Sequence, residues 1–135
     1  MHLLEPALTL GVEEEYLLVH RESRDLVNDP PQQLMDDCVK LLGEHVSPEL
    51  MRAQIEVGTP VCRSVSQVRD EVRRLRSAVA EVSDKYGYAP IAVSTHPFAR
   101  WLEQKQTEKE RYSWLTEQMQ ATARRLLICG MHIHV

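Results

Sequence analysis

Three consecutive glutamates, Glu13 to Glu15, are the feature of this sequence best suited to chemistry. They lie within Thr9 to Val19, where apolar residues alternate as in a β-strand. Adjacent carboxylates repel one another and glutamate is a poor strand former, so the run destabilises a strand that contains it. In a strand, Glu13 and Glu15 share one face roughly 7 Å apart, and Glu14 points the other way. Two carboxylates at that spacing can hold different metal ions of a cluster, or grip one ion from both sides.

Two later segments alternate polar and apolar residues in the same manner, Met51 to Val57 and Leu126 to Val135. If these predicted strands neighbour the first one, a single polar sheet face collects carboxylates and imidazoles. The residues expected there are Glu13, Glu15, Glu56, His132 and His134. Such a donor set suits hard divalent cations with one imidazole included.

The same patterns also have simpler interpretations. An acidic run is often a solvated face, the alternation around Glu56 fits any half-exposed strand, and His132-x-His134 fits an exposed edge. The sequence has no glycine-rich phosphate loop, no Gly-x-Ser-x-Gly and no cysteine in a nucleophile motif. We therefore predict no covalent catalytic residue, and any bound phosphates would be held by metals and basic residues.

Two amphipathic helices are predicted to cover the strands. The first spans Pro30 to Leu42, with Asp29 as its N-cap and Gly43 just past its end. Its expected buried stripe is Leu34, Cys38, Leu41 and Leu42. The second spans Val65 to Tyr86, begins with a Ser64–Gln67 capping box and ends at Gly87. Its stripe is Val65, Val68, Val72, Leu75, Val79, Val82 and Tyr86, which we interpret as core packing rather than a coiled coil.

A third strand is predicted over Ala89 to Ser94 and a third helix over Arg111 to Arg124. Half-polar strands argue against a parallel sheet, whose strands are usually buried on both faces. The sequence therefore predicts an α+β fold with a mostly antiparallel sheet, helices on one face, and one domain over residues 1–135.

Bulk composition restricts partners and compartment. The net charge of −4 gives no electrostatic case for nucleic acid or an anionic membrane. No apolar run reaches the roughly 18 residues that span a bilayer, and residues 1–6 do not resemble a signal peptide. Three cysteines without a Cys-x-x-Cys motif favour buried thiols in a reducing cytoplasm.

Three ordered motifs resemble the bacterial carboxylate–amine ligases, often called type 2 glutamate–cysteine ligases. They are Gly11-Val-Glu-Glu-Glu-Tyr-Leu-Leu18, Gln54-Ile-Glu-Val-Gly-Thr-Pro-Val61 and Cys129-Gly-Met-His-Ile-His-Val135, with Ala123-Arg-Arg-Leu126 also fitting. The family is similar to glutamate–cysteine ligase and, more distantly, to the catalytic domain of glutamine synthetase. The resemblance implies a curved antiparallel sheet with ATP and Mg²⁺ or Mn²⁺ on its inner face. It also implies that ATP activates a glutamate-like carboxylate as an acyl phosphate, which a cysteine-like amine then attacks.

The resemblance also implies roles for individual residues. Glu13, Glu15, Glu56 and His132 look like metal ligands, and Glu49 is a further ligand candidate. Two residues are assigned to substrate or neighbouring contacts, Gln54 and His134. His134 stands where glutamate–cysteine ligases proper tend to have an amide, which leaves the two substrates open.

Family members are much longer than 135 residues, so the chain is expected to correspond to the N-terminal part of a longer catalytic domain. We expect it to have little or no ligase activity alone and to associate with itself through exposed strand edges. Two alternatives remain: a metal-dependent hydrolase using the same residues, and a non-catalytic metal-binding module.

Overall fold

The structure, a computed structural model, describes residues 8–107 and 128–135. Within these residues, five strands and two α-helices follow one another. Their bounds are β1 Gly11–His20, α1 Gln32–Leu42, β2 Val46–Pro48, β3 Gln54–Gly58, α2 Val65–Asp84, β4 Tyr88–Ile91 and β5 Met131–His134. The helix predicted over 111–124 lies outside the described residues. Neither of the two described helices has an apolar stretch long enough to cross a bilayer.

The five strands form one antiparallel sheet organised around β1. β3 pairs with one edge of β1, from Glu13 to Leu17, and β2 extends the sheet beyond β3. β4 and β5 share the other edge of β1, because β5 pairs with residues 11–14 and β4 with residues 17–20. The predicted α+β class with an antiparallel sheet is thereby confirmed.

Both helices cover the same face of the sheet. The inward residues of β1 on that face are Val12, Glu14, Tyr16 and Leu18, all buried. They meet the apolar stripes of the helices in one core, to which α1 contributes Leu34, Cys38 and Leu42, and α2 contributes Leu75, Val79 and Val82. A smaller apolar cluster around Leu17, Met51, Ala53 and Cys129 lies on the opposite side of β1.

The sequence signals at the helix ends are mostly confirmed. Ser64 accepts a hydrogen bond from the backbone N–H of Gln67 at 3.2 Å, and Gly43 ends α1 with φ +60°. The predicted cap by Asp29 is wrong: Pro31 precedes α1 without a side-chain cap, and Asp29 instead pairs with Arg52 and Lys105.

The predicted stripes are right at their centres and wrong at their margins. Leu41 is exposed on α1, and Val65 is exposed at the first turn of α2. The second strand begins at Gln54 rather than Met51, because residues 51–54 make a turn closed by Gln54 N–H and Met51 C=O at 2.9 Å.

Candidate functional site

The open face of the sheet brings together the acidic and imidazole side chains singled out in the sequence. Glu15 lies directly opposite Glu56 of β3, and Glu13 lies directly opposite His132 of β5. His134 faces Gly11 in the same register and therefore points to the same side as Glu13. The five residues Glu13, Glu15, Glu56, His132 and His134 are called the polar face below. Side chains directly opposite on neighbouring strands have Cβ atoms about 5 Å apart.

Glu13 contacts both histidines. Its Oε2 atom lies 3.3 Å from Nδ1 of His132 and 3.1 Å from Nε2 of His134. These contacts lower the pKa of Glu13, the hydrogen bond with His134 having the largest effect, although burial acts in the opposite direction. Both imidazoles therefore contact the same carboxylate oxygen of Glu13.

Glu56 lies in the most acidic part of the face. Burial raises its pKa, and the charges of Glu49, Glu13 and Glu15 raise it further, while a hydrogen bond from Ser47 at 3.2 Å opposes the change. Four carboxylates therefore repel one another across β1, β3 and the loop after β2. A cation placed among them would relieve that repulsion.

Glu15 connects the polar face to the start of β5. Its carboxylate accepts a hydrogen bond from the backbone N–H of Gly130 at 3.0 Å, and its own N–H donates to Gly130 C=O at 3.1 Å. The loop that carries the histidine strand is thus attached to the acidic strand by both backbone and side chain.

Gln54, assigned to substrate contacts from the sequence, is buried on the same side of β3 as Glu56. Its side-chain N–H group donates to Ile128 C=O at 2.9 Å, and its side-chain oxygen accepts from Met51 N–H at 3.0 Å. Both ends of the amide are therefore used to join the turn before β3 to the approach to β5.

The donor chemistry of the polar face fits a divalent metal ion, because carboxylate oxygens and imidazole nitrogens are its usual ligands. Among residues 8–107 and 128–135, however, no three histidine, cysteine, aspartate or glutamate side chains converge closely enough to hold one. Their side chains are turned to protein partners instead, Glu13 to the histidines, Glu15 to Gly130 and Glu56 to Ser47.

A second polar cluster, made of Glu14, Arg76 and Tyr16, lies on the helix-covered side of the same strand. Glu14 points into the helix-covered core and accepts hydrogen bonds from Arg76 of α2 and from the hydroxyl of Tyr16. Burial would raise the pKa of Glu14, but these bonds and the positive charge of Arg76 outweigh it, and the pKa is lowered. Sequence patterns did not single out Arg76, which is 62 residues away and lies in a charged helix surface.

Comparison with known proteins identifies the relatives of this chain. The model of glutamate–cysteine ligase family 2 matches residues 9–135. A protein of Rhodospirillum rubrum with the provisional name glutamate–cysteine ligase 2 is 53% identical over 135 residues, covering 97% of this chain and 35% of its own length. A protein of the same provisional name from Paracoccus denitrificans is 50% identical over 131 residues, with the same coverage of 97% and 35%. The chain thus spans about a third of the length of the curated relatives it matches.

Solved structures with the same fold are more distant in sequence. A glutamate–cysteine ligase of Francisella tularensis in complex with AMP matches with a TM-score of 0.71 at 16% identity, over 93% of this chain and 26% of that one. A bifunctional glutathione synthetase of Pasteurella multocida also gives 0.71, at 13% identity, over 93% and 16%. These two matches confirm the fold expected from the sequence motifs.

Proposed function

Because the chain belongs to glutamate–cysteine ligase family 2, we propose that it supplies the metal- and nucleotide-binding part of an ATP-dependent carboxylate–amine ligase. The observation that carries this proposal is the polar face, where carboxylates from β1 and β3 meet the histidines of β5. In the same proposal, residues 1–135 form one structural unit at the N-terminal end of a longer catalytic domain.

The proposed ligands of Mg²⁺ or Mn²⁺ are Glu13, Glu15, Glu56 and His132, with Glu49 as a further candidate. When bound, the metal would offset the negative charge on the phosphates of ATP. Glu13 would exchange its contacts with His132 and His134 for the metal, which requires only side-chain rotation on a fixed strand. His134 would then be released toward the substrates, whereas Gln54 would act indirectly by holding the approach to β5 in place.

The reaction proposed for the ligase proceeds in two steps. The γ-phosphoryl group of ATP is transferred to a glutamate-like carboxylate, giving an acyl phosphate and ADP. A cysteine-like amine then attacks the acyl carbon, the amide bond forms, and inorganic phosphate leaves. The protein need only position the reactants and neutralise charge, which agrees with the absence of a nucleophile motif from the sequence.

Two observations from the relatives support a nucleotide and these substrate classes. The Francisella tularensis ligase with the same fold was solved with AMP, and the Rhodospirillum rubrum relative carries the provisional name glutamate–cysteine ligase 2. We also propose a cytoplasmic homo-oligomer without nucleic acid or membrane partners, in keeping with a net charge of −4 and three free cysteines.

The test is hydroxamate formation from ATP, Mg²⁺, glutamate and hydroxylamine, because hydroxylamine traps an acyl phosphate whatever the natural amine is. The enzyme is a chimera in which this chain replaces the matching segment of the Rhodospirillum rubrum relative. We expect ATP-dependent product that Glu15→Gln abolishes. Glu81→Gln, which changes an exposed glutamate of α2, should retain activity.

Three results would change the proposal. Product with another acid but not with glutamate would keep the mechanism and change the substrate. A folded chimera that yields no product with any carboxylic acid would refute the ligase and favour a hydrolase or a non-catalytic metal-binding module. The 135-residue chain alone should have little or no activity, and robust turnover by it would contradict that part.

A further inference from the structure

A buried glutamate lies at the centre of the acidic strand, on the side away from the proposed chemistry. Glu14 is 3% exposed and belongs to the face of β1 that packs on the helices. Its carboxylate is held by the Nε and Nη2 atoms of Arg76, the former at 2.7 Å, and by the hydroxyl of Tyr16. Both carboxylate oxygens are thereby bonded by side chains.

The chain could have met the packing requirement at this position with an apolar residue, as it does at Val12 and Leu18 on the same face. An ion pair between a buried Glu14 carboxylate and a half-exposed Arg76 is weak evidence for added stability, because desolvation of the carboxylate offsets attraction that solvent already screens at the arginine. It does impose geometry, since a guanidinium that binds a carboxylate through two N–H groups fixes both distance and orientation. The Glu14–Arg76 pair therefore ties one residue of β1 to a defined place on α2.

The geometric constraint acts at the position that matters for the polar face. Glu13 and Glu15 are the immediate neighbours of Glu14, and the two-residue period of the strand directs them to the opposite side. Any rotation or slip of β1 at Glu14 would move both neighbours, and a slip of one residue would exchange the faces. Of the three consecutive glutamates, only Glu14, which pairs with Arg76, is buried.

We propose that Arg76 is a positioning residue for the polar face: by holding Glu14 from the helix side, it fixes the segment of β1 from which Glu13 and Glu15 project. The inference rests on the proposed function, because Glu13 and Glu15 are there the ligands of the metal. The side-chain partners of Arg76 are Glu14 and Tyr16, both on the helix side of β1, so Arg76 acts on the ligands through the strand.

The experiment compares Arg76→Met with two matched variants. Arg74→Met removes another arginine of α2, which pairs with Glu71 of its own helix. Val79→Ala removes buried volume from α2 and serves as a control for general loss of stability. Hydrogen exchange of the β1 amides is measured in the 135-residue chain, and Mn²⁺ dissociation constants are measured by electron paramagnetic resonance in the chimera.

We expect Arg76→Met to speed exchange of the Glu13 and Glu15 amides at least about tenfold and to weaken Mn²⁺ binding about 10- to 100-fold, as loss of a supporting partner does at other metal sites. Arg74→Met should match the unaltered protein in both measurements. Val79→Ala, compared at equal fraction folded, should retain the Mn²⁺ affinity. Arg76→Lys, which restores the charge without the two-pronged geometry, should recover part of it.

Each other outcome is decisive. If the unaltered chimera binds Mn²⁺ and Arg76→Met binds it equally well, the positioning role is refuted and the proposed function stands. If Val79→Ala weakens binding as much as Arg76→Met, the effect is general destabilisation and the role is also refuted. If the unaltered chimera binds no Mn²⁺, the proposed metal site fails and the inference fails with it. Should Arg76→Met not fold, Arg76→Lys and Tyr16→Phe decide by the same criteria.

Discussion

Replacing Gln54 by leucine should detach the histidine strand from the rest of the sheet. Leucine has nearly the volume of glutamine, so the change leaves no large cavity at a position that is 3% exposed. It removes the hydrogen bonds to Met51 N–H at 3.0 Å and to Ile128 C=O at 2.9 Å. Met51 is buried, and the loss of the hydrogen bond from its N–H costs about 1–3 kcal/mol. Ile128 is half exposed, so water can replace part of the second bond, at a cost of about 0.5–1.5 kcal/mol.

Added apolar burial by the leucine offsets part of that sum, and we expect a net loss of about 2 kcal/mol in the free energy of unfolding, or roughly a 30-fold change in the folding equilibrium. The assay is urea unfolding together with hydrogen exchange by residue. Exchange should accelerate most in β5, because Gln54 is the side chain that joins the turn at Met51 to the approach to β5. Gln33→Leu, on the exposed side of α1, is the control and should change stability by less than about 0.5 kcal/mol. The reasoning is refuted if Gln54→Leu is as stable as the control, or if β5 exchanges no faster than β3.

Three further predictions concern the helices. Leu75→Ala should lower the free energy of unfolding in urea by about 2–5 kcal/mol because Leu75 is fully buried. Leu41→Ala, on the exposed side of α1, should lower it by less than about 0.5 kcal/mol. Equal losses would contradict the core as described. Ser64→Ala should cost about 1 kcal/mol by removing the N-cap of α2, and an unchanged urea midpoint would show that the cap contributes nothing. Hydrogen bonds from the Tyr86 hydroxyl above all, and from neighbouring side chains of α1, lower the pKa of Asp37. Because its pKa is lowered in the folded state, ionised Asp37 stabilises the fold at neutral pH, and this stabilisation is lost as pH falls below the usual aspartate range. Tyr86→Phe should therefore raise the pKa of Asp37 in an NMR titration and weaken the pH dependence of stability below about pH 4. An unshifted titration would contradict this.

Local signals in the sequence predicted the existence of α1 and α2 and the first residue of α2. α2 was predicted to begin at Val65 because its capping serine and its three-and-four spacing both lie within a few residues of one another. Asp29 was misassigned because its partners Arg52 and Lys105 are remote in sequence, and a charge pair across the fold outcompeted the local cap. β2 was missed because a three-residue strand is too short to show any period.

The two-residue period placed Glu13 and Glu15 on one side of their strand, but that Glu56 and His132 join them depends on the pairing of β1 with β3 and β5, which the structure shows. What the sequence could not provide was the partner of each side chain. The bond from Arg76 to Glu14 spans 62 residues, and the surface of α2 offers several other arginines that pair only with their own helix or stay in solvent.

The edge of β1 that is shared by β4 and β5 also has a consequence for synthesis on the ribosome. The partner of Glu13 on one side is Gly58, but on the other it is His132, 119 residues later in the chain. At about 5–20 residues per second, several seconds of translation separate the emergence of these two partners. During that interval β1, β3 and the two helices can already form, while the edge of β1 from Gly11 to Glu14 is unpaired and open to other strands. The carboxylates of the face are thus assembled on the nascent chain before its imidazoles exist, and β5 closes an edge that a chaperone or a second nascent chain could otherwise occupy.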